Sequence, residues 1–136
     1  MKKQRPRNHS IAETYGQMDV DLVEKLYGHE LDPGMIVLTD AALAHVKKQH
    51  PTDWARCLPH VRAVLDGPTY IGDDTRNAGK IEFIGRMPPN GEPLLVAVTV
   101  TRSDSGNYHV TSFYPITQAK IDRRRHDGLL RNVVRK

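Results

Sequence analysis

The hydrophobic pattern of the chain changes its period near the middle. Up to Pro68, apolar residues recur every three or four positions, which is typical of amphipathic helices. After Pro68 they alternate with polar residues or run continuously, as they do in strands. The pattern therefore predicts an α+β fold, with helices in the first half and a sheet in the second.

Helices are predicted at residues 20–26 and at two places within residues 39–66. Thr39 suits the N-cap of the second helix, and Pro51 is expected to end it. Pro59 lies inside the apolar stripe of the third helix and is expected to kink it or split it in two.

Four strands are predicted after Pro68, at residues 69–72, 80–86, 94–102 and 107–114. The Asn90-Gly91 pair between the second and third strands is a strong hairpin signal. Consecutive strands joined by tight turns must be antiparallel. We therefore expect N-terminal helices packed on one face of a four-stranded antiparallel β-meander, whose other face is left for a ligand.

The length of 136 residues fits one domain. We expect a basic, flexible N-terminus at residues 1–10, a single α+β domain at 11–116, and a basic, helical C-terminal tail at 117–136. The net charge of +4 weakly favours polyanionic partners such as nucleic acid. The basic residues at the two ends either form solvated tails or bind phosphates.

Secretion and membrane insertion are not indicated. The basic start of the chain is not followed by the apolar segment of a signal peptide, and no apolar run approaches the roughly 18 residues of a membrane span. Cys57 is the single cysteine, so the chain cannot form an internal disulfide. We therefore expect a cytoplasmic protein that does not contact a membrane.

Two histidines and two lysines crowd the end of the second predicted helix: His45, Lys47, Lys48 and His50. The two histidines are about 140° apart around a helix, which does not match the spacing of a helical zinc site. No other cysteine or histidine pair has the spacing of a tetrahedral site, so we expect no metal and no cofactor. Capping of the last helical carbonyls is the simplest role for His50.

The last predicted strand is rich in hydroxyl and aromatic side chains. Simple alternation places two sets of side chains on opposite faces of the strand. One set is Tyr108, Val110, Ser112 and Tyr114, and the other is His109, Thr111 and Phe113. Ordinary strand propensity explains these residue types equally well. With Lys80, Arg86 and Arg76 nearby, however, they would form an anion site. Cleavage of RNA without a metal needs such a set of a base, an acid and cations.

Four motifs lie between residues 36 and 114: HV-x-x-x-H-P at His45–Pro51, a helix closed by Gly67-Pro68, the strand LLVAVTV, and VTSFY at Val110–Tyr114. Together they resemble the phage-associated branch of the barnase–EndoU–colicin–RelE (BECR) ribonuclease superfamily. The resemblance implies that a helix-borne histidine and polar residues of the last strands line a cleft. It implies that His50 is the first candidate for the catalytic histidine and His45 the second, and that Thr111 and Tyr114 are also catalytic. The expected RNA-binding residues are Lys47, Lys48, Lys80 and Arg86.

The resemblance implies a metal-independent, toxin-like endoribonuclease of prophage origin that leaves 2′,3′-cyclic phosphate ends. Its expected partners are RNA, with tRNA among the candidates, and an inhibitor or immunity protein. The alternative is a non-catalytic RNA- or protein-binding domain of the same fold. An ADP-ribosyl transferase is less favoured, because Glu82, the only glutamate in the predicted strands, has no partner motif. A meeting of His50, Thr111 and Tyr114 in space would favour the nuclease.

Overall fold

Seven strands form one sheet in the computed structural model, which describes residues 10–74 and 79–133. The strands are β1 (Ile11–Gln17), β2 (Met35–Thr39), β3 (Tyr70–Asp74), β4 (Lys80–Met87), β5 (Glu92–Thr99), β6 (Tyr108–Pro115) and β7 (Leu130–Asn132). The α-helices are α1 (Val20–Tyr27), α2 (Asp40–Gln49), α3 (Trp54–Cys57), α4 (Val61–Asp66) and α5 (Gln118–His126). The predicted α+β class is confirmed.

The sheet has the strand order β1-β2-β6-β5-β4-β3-β7. The consecutive strands β3 to β6 are antiparallel neighbours and form the predicted meander. The predicted number of four strands is wrong, because β1, β2 and β7 extend the sheet. Strand β2 also pairs with β6 in parallel, while the other neighbouring pairs are antiparallel.

The three additional strands carry weak sequence signals. The register of β1 against β2 shifts twice, so β1 does not show a regular alternation. Strands β2 and β7 have only five and three residues, which is too short for a period to be recognised.

Helices α1 to α4 cover one face of the sheet. Their apolar side chains share a core with Ile71, Phe83, Val96 and Phe113 of the central strands. The predicted cap at Thr39 is present, because Thr39 Oγ1 accepts the Ala42 N–H at 3.1 Å. Asp19 caps α1 by accepting the Leu22 N–H at 3.2 Å. A 3-10 turn that contains Pro59 separates α3 from α4, as predicted.

Helix α5 lies on the opposite face and strand β7 extends the sheet at its edge, both within the segment for which a basic helical tail is predicted. Ile121 of α5 and Leu130 of β7 pack against Ile84 and Leu95 of the sheet. The segment thus contributes a second, smaller core as well as positive charge. The N-terminal residues 1–9 lie outside the described part of the chain.

None of the helices in the described residues has the length and apolar character needed to cross a membrane.

Candidate active site

Strand β6 contains a β-bulge at Thr111. Ser112 pairs with Ala97 and Val110 pairs with Val98, so Thr111 is the extra residue. A bulge interrupts simple alternation, and the predicted division of the strand into two faces is therefore wrong. The side chains that enter the helix-covered core are Tyr108, Val110 and Phe113. Tyr114 instead packs against the core on the α5 side.

The face of the sheet opposite helices α1 to α4 is only partly covered by α5. Directly opposed residues on neighbouring strands share a face, so Glu82, Ala97 and Ser112 lie on one side, together with Ile84, Leu95 and Tyr114. The core on the α5 side includes Ile84 and Leu95 and also Ala97, whereas Glu82 and Ser112 remain half-buried. The edge of α5 therefore borders a strip of sheet that carries partly exposed polar side chains.

His50 reaches this strip from the end of helix α2. It is the C-cap residue, and its backbone N–H donates to the Val46 carbonyl at 2.8 Å. Its imidazole stacks on the phenol ring of Tyr114, with the ring centroids 4.9 Å apart and the planes inclined by 20°. Two of the predicted catalytic residues are thus brought into direct contact, one from a helix end and one from a strand end.

An ion pair lies next to this aromatic pair. Arg124 of α5 donates from Nη1 to Oε1 of Glu82 at 2.7 Å. The exposed fractions of the two side chains are 30% for Arg124 and 16% for Glu82, so the pair is largely shielded from water.

Burial and neighbouring charges alter the acidity of two groups in the site. Burial raises the pKa of Tyr114, the Glu82 carboxylate raises it further, and Arg124 partly offsets both through its charge and a hydrogen bond. Burial also raises the pKa of Glu82, although Arg124 acts in the opposite direction. The phenol therefore keeps its proton at neutral pH, and Glu82 holds a proton more tightly than an ordinary glutamate.

The remaining predicted catalytic residues stand apart from this contact. The Thr111 hydroxyl donates to the Ala97 carbonyl at 3.4 Å within the bulge. His45 is exposed on α2, five residues before His50. The structure therefore brings together His50 and Tyr114, and among the described residues neither of them forms a hydrogen bond or a ring stack with Thr111 or His45.

The predicted RNA-binding residues lie at three separate places. Lys47 and Lys48 are exposed on α2, and Lys47 Nζ lies 4.5 Å from the centroid of the Trp54 ring. Lys80 is half-buried at the start of β4, two residues before Glu82 and on the same face. Arg86 lies roughly 20 Å from Lys80 along β4. Its guanidinium donates to Gln118 Oε1 at 2.8 Å and to the Gly91 carbonyl at 3.2 Å.

Sequence reasoning missed Arg124 and gave Glu82 no role in a nuclease. A signal for Arg124 existed, because it follows Ile121 by three residues and therefore lies on the same face of a helix. For Glu82 the signal was its alternation with Ile84, which places both on one side of β4. Arg76, the third cation considered, lies outside the described residues.

Across residues 10–74 and 79–133, no group of three or more histidine, cysteine, aspartate or glutamate side chains is placed to hold a metal ion.

A family model described as phage-Barnase-EndoU-ColicinE5/D-RelE like nuclease3 matches residues 14–123. The match includes His50, Glu82 and Tyr114 and ends one residue before Arg124. Searches of curated proteins and of solved structures give no match.

Proposed function

The chain belongs to the phage-Barnase-EndoU-ColicinE5/D-RelE like nuclease3 family, and from this membership we propose that it is a metal-independent endoribonuclease. The observation that carries the proposal is the stack of His50 on Tyr114 beside the Glu82–Arg124 ion pair. In the proposed reaction the ribose 2′-oxygen attacks the adjacent phosphorus and the bond to the 5′-oxygen breaks. The products are a 2′,3′-cyclic phosphate and a 5′-hydroxyl.

This reaction needs a base for the 2′-hydroxyl proton and an acid for the departing 5′-oxygen. His50 and Glu82 are the two groups beside Tyr114 that can exchange protons. Histidine is the side chain that most often transfers protons in such reactions, and burial raises the pKa of Glu82 above that of an ordinary glutamate. We assign the roles of base and acid to His50 and Glu82. One of them takes the proton of the 2′-hydroxyl, and the other delivers a proton to the departing 5′-oxygen.

Arg124 is the proposed ligand of the phosphate. A guanidinium has five N–H donors, so Arg124 can keep its bond to Glu82 while it binds phosphate oxygens. The protonated phenol of Tyr114 can donate another hydrogen bond to the same group. Such donors stabilise the negative charge that develops on the phosphorus oxygens in the transition state.

Other cations have supporting roles in the proposal. Lys80 lies on the face that carries Glu82 and is the proposed contact for a neighbouring phosphate. Lys47 and Lys48 extend the positive surface outward from His50 along α2. Arg86 is held at the start of α5, so we expect it to support that helix more than to bind RNA at the cleavage site.

The direct test is incubation of the purified protein with a panel of labelled RNAs, tRNA included, in the presence of EDTA. We expect cleavage, with mass spectrometry showing a 2′,3′-cyclic phosphate on the upstream fragment. Cleavage that requires added Mg²⁺, or fragments that end in a 3′-hydroxyl, would contradict the proposed chemistry. Binding of RNA without cleavage would favour the non-catalytic alternative.

A further inference from the structure

A cavity of about 800 Å³ lies near the start of β6, at the end of the strand that is remote from Tyr114. One wall is formed by Val37 of β2 and His109 of β6, which are direct partners across the parallel pair. The other wall is the turn between β5 and β6, with Asp104, Ser105 and Asn107.

The cavity and the His50–Tyr114 pair lie on the same face of the sheet. Ile36 and Leu38 point into the helix-covered core, so Val37 between them points to the opposite face. His109 follows Tyr108, which also belongs to that core, and therefore points the same way as Val37. The bulge at Thr111 then keeps Tyr114 on the side of His109. A single strand of RNA can therefore lie along this face and reach both places.

We propose that this cavity binds a nucleobase of the RNA strand that is cleaved at His50 and Tyr114, an inference that rests on the proposed function. An imidazole and an aliphatic wall suit the flat face of a base, and the amide, hydroxyl and carboxylate groups of the turn suit its polar edge. The described residues that line the cavity include no lysine or arginine, which argues for a base and against a phosphate. Its volume lies in the range of small-molecule sites.

The position of the cavity indicates which nucleotide along the RNA supplies the bound base. His109 precedes Tyr114 by five residues along β6, which corresponds to roughly 15 Å of strand. That separation exceeds the size of one nucleotide unit. The cavity therefore recognises a base a few nucleotides away from the cleaved bond, and not the nucleotide whose 2′-hydroxyl attacks.

The turn that forms the polar wall is held in place by contacts within itself and with the loop before β2. The Arg102 guanidinium donates to the Pro33 carbonyl at 3.0 Å, and the Ser103 N–H donates to the Asn107 carbonyl at 2.8 Å. Gly34 lies so close that a Cβ there would be 2.7 Å from the Gly106 carbonyl oxygen. A turn that is fixed before binding can discriminate between bases, because its polar groups cannot move to suit a poor partner.

Asp104 gives the site a chemical preference. A carboxylate only accepts hydrogen bonds, so it favours an edge that presents an amino group. Adenine, cytosine and guanine each carry an exocyclic amino group. Uracil carries none, and its one ring N–H donor lies between two carbonyl oxygens that repel a carboxylate. The site is therefore expected to select against uracil at one position near the cleavage site.

The test is cleavage of a random RNA library followed by sequencing of the fragments. Wild-type protein should cleave with uracil depleted roughly 10- to 100-fold at one position a few nucleotides from the cut, the discrimination that one hydrogen bond to a charged group gives. Asp104→Asn should lose most of this preference while it still cleaves. Asp21→Asn, which removes one negative charge from the exposed surface of α1, is the matched control and should keep it.

Two outcomes would overturn the inference: cleavage by wild type with no base preference near the cut, or the same preference in Asp104→Asn as in wild type. If wild type cleaves no RNA, the proposed function fails by itself. The cavity is then tested by selecting tight binders from a random library of 2′-O-methyl RNA. Enrichment of amino-bearing bases by wild type but not by Asp104→Asn supports the subsite, and equal enrichment by both proteins refutes it.

Discussion

The imidazole of His50 lies flat against the phenol ring of Tyr114, with 4.9 Å between the ring centroids. This contact joins the end of α2 to the end of β6 and so fixes the histidine relative to the strand. A stacked aromatic pair typically adds about 0.5–1.5 kcal/mol to the free energy of unfolding. Variants of either ring therefore need a stability measurement beside the rate measurement.

The Tyr114 hydroxyl can be tested separately from its ring. Tyr114→Phe keeps the stack on His50 and removes the group that interacts with Arg124. We expect the free energy of unfolding to change by no more than about 1 kcal/mol, and the cleavage rate to fall roughly 10- to 100-fold because one donor to the phosphate is lost. Tyr114→Ala should lose stability as well. A wild-type rate in Tyr114→Phe would show that the hydroxyl has no part in cleavage.

Arg124 can be compared with a neighbour of the same charge. Arg124→Gln leaves the shielded Glu82 carboxylate without its guanidinium, so we expect a loss of about 1–3 kcal/mol in unfolding free energy. The rate should fall about 10²- to 10³-fold if Arg124 stabilises the developing charge. Arg123→Gln removes an equal charge from the exposed side of α5 and is the control. Equal effects of the two variants on rate would mean that only overall charge matters.

The raised pKa of Glu82 predicts a pH-dependent stability. Because the native state holds this proton more tightly than the unfolded state, Glu82 contributes stability that is present at low pH. That contribution is lost as the pH rises from the ordinary pKa of a glutamate through the raised value. Glu82→Gln does not titrate. Urea unfolding between about pH 4 and pH 8 should show the variant gaining stability relative to wild type as the pH rises.

A constant difference between Glu82→Gln and wild type across that range would indicate that burial does not dominate the environment of Glu82. A difference that changes in the opposite direction would mean that the Arg124 ion pair outweighs burial.

The docking of the seventh strand depends on Gly72. A Cβ at this position would lie 2.6 Å from Leu130 Cδ2 and 3.2 Å from the Leu129 carbonyl oxygen. Gly72→Ala should therefore lower the free energy of unfolding by about 1–3 kcal/mol, measured with urea. Gly67→Ala, whose Cβ would meet the Ala63 carbonyl oxygen at 3.9 Å, should change it by no more than about 0.5 kcal/mol. Similar values for both would argue against the close packing of β7 on β3.

The fold could be predicted where the hydrophobic period is long and regular. The meander from β3 to β6 and the helices between Thr39 and Asp66 satisfy this condition. Strand β2 could not be found, because its five residues are buried by pairing with β6, which lies about 70 residues further along the chain.

The candidate site was predictable only in part, for a similar reason. His50 and Tyr114 were selected by motif and do meet. The bulge at Thr111 depends on the pairing of β6 with β5, and the place of Arg124 depends on the packing of α5 against the sheet. Both are tertiary features that local periodicity does not contain.

The most direct test of the central claim is a paired measurement on His50→Ala, with cleavage rate and melting temperature determined on the same protein. We predict a rate per folded molecule that is about 10²- to 10⁴-fold below wild type, the usual contribution of a positioned proton-transfer group. His45→Ala, on the exposed side of the same helix, should cleave like wild type. An unchanged rate per folded molecule in His50→Ala would contradict the account, and a loss in His45→Ala instead would move the catalytic role to that residue.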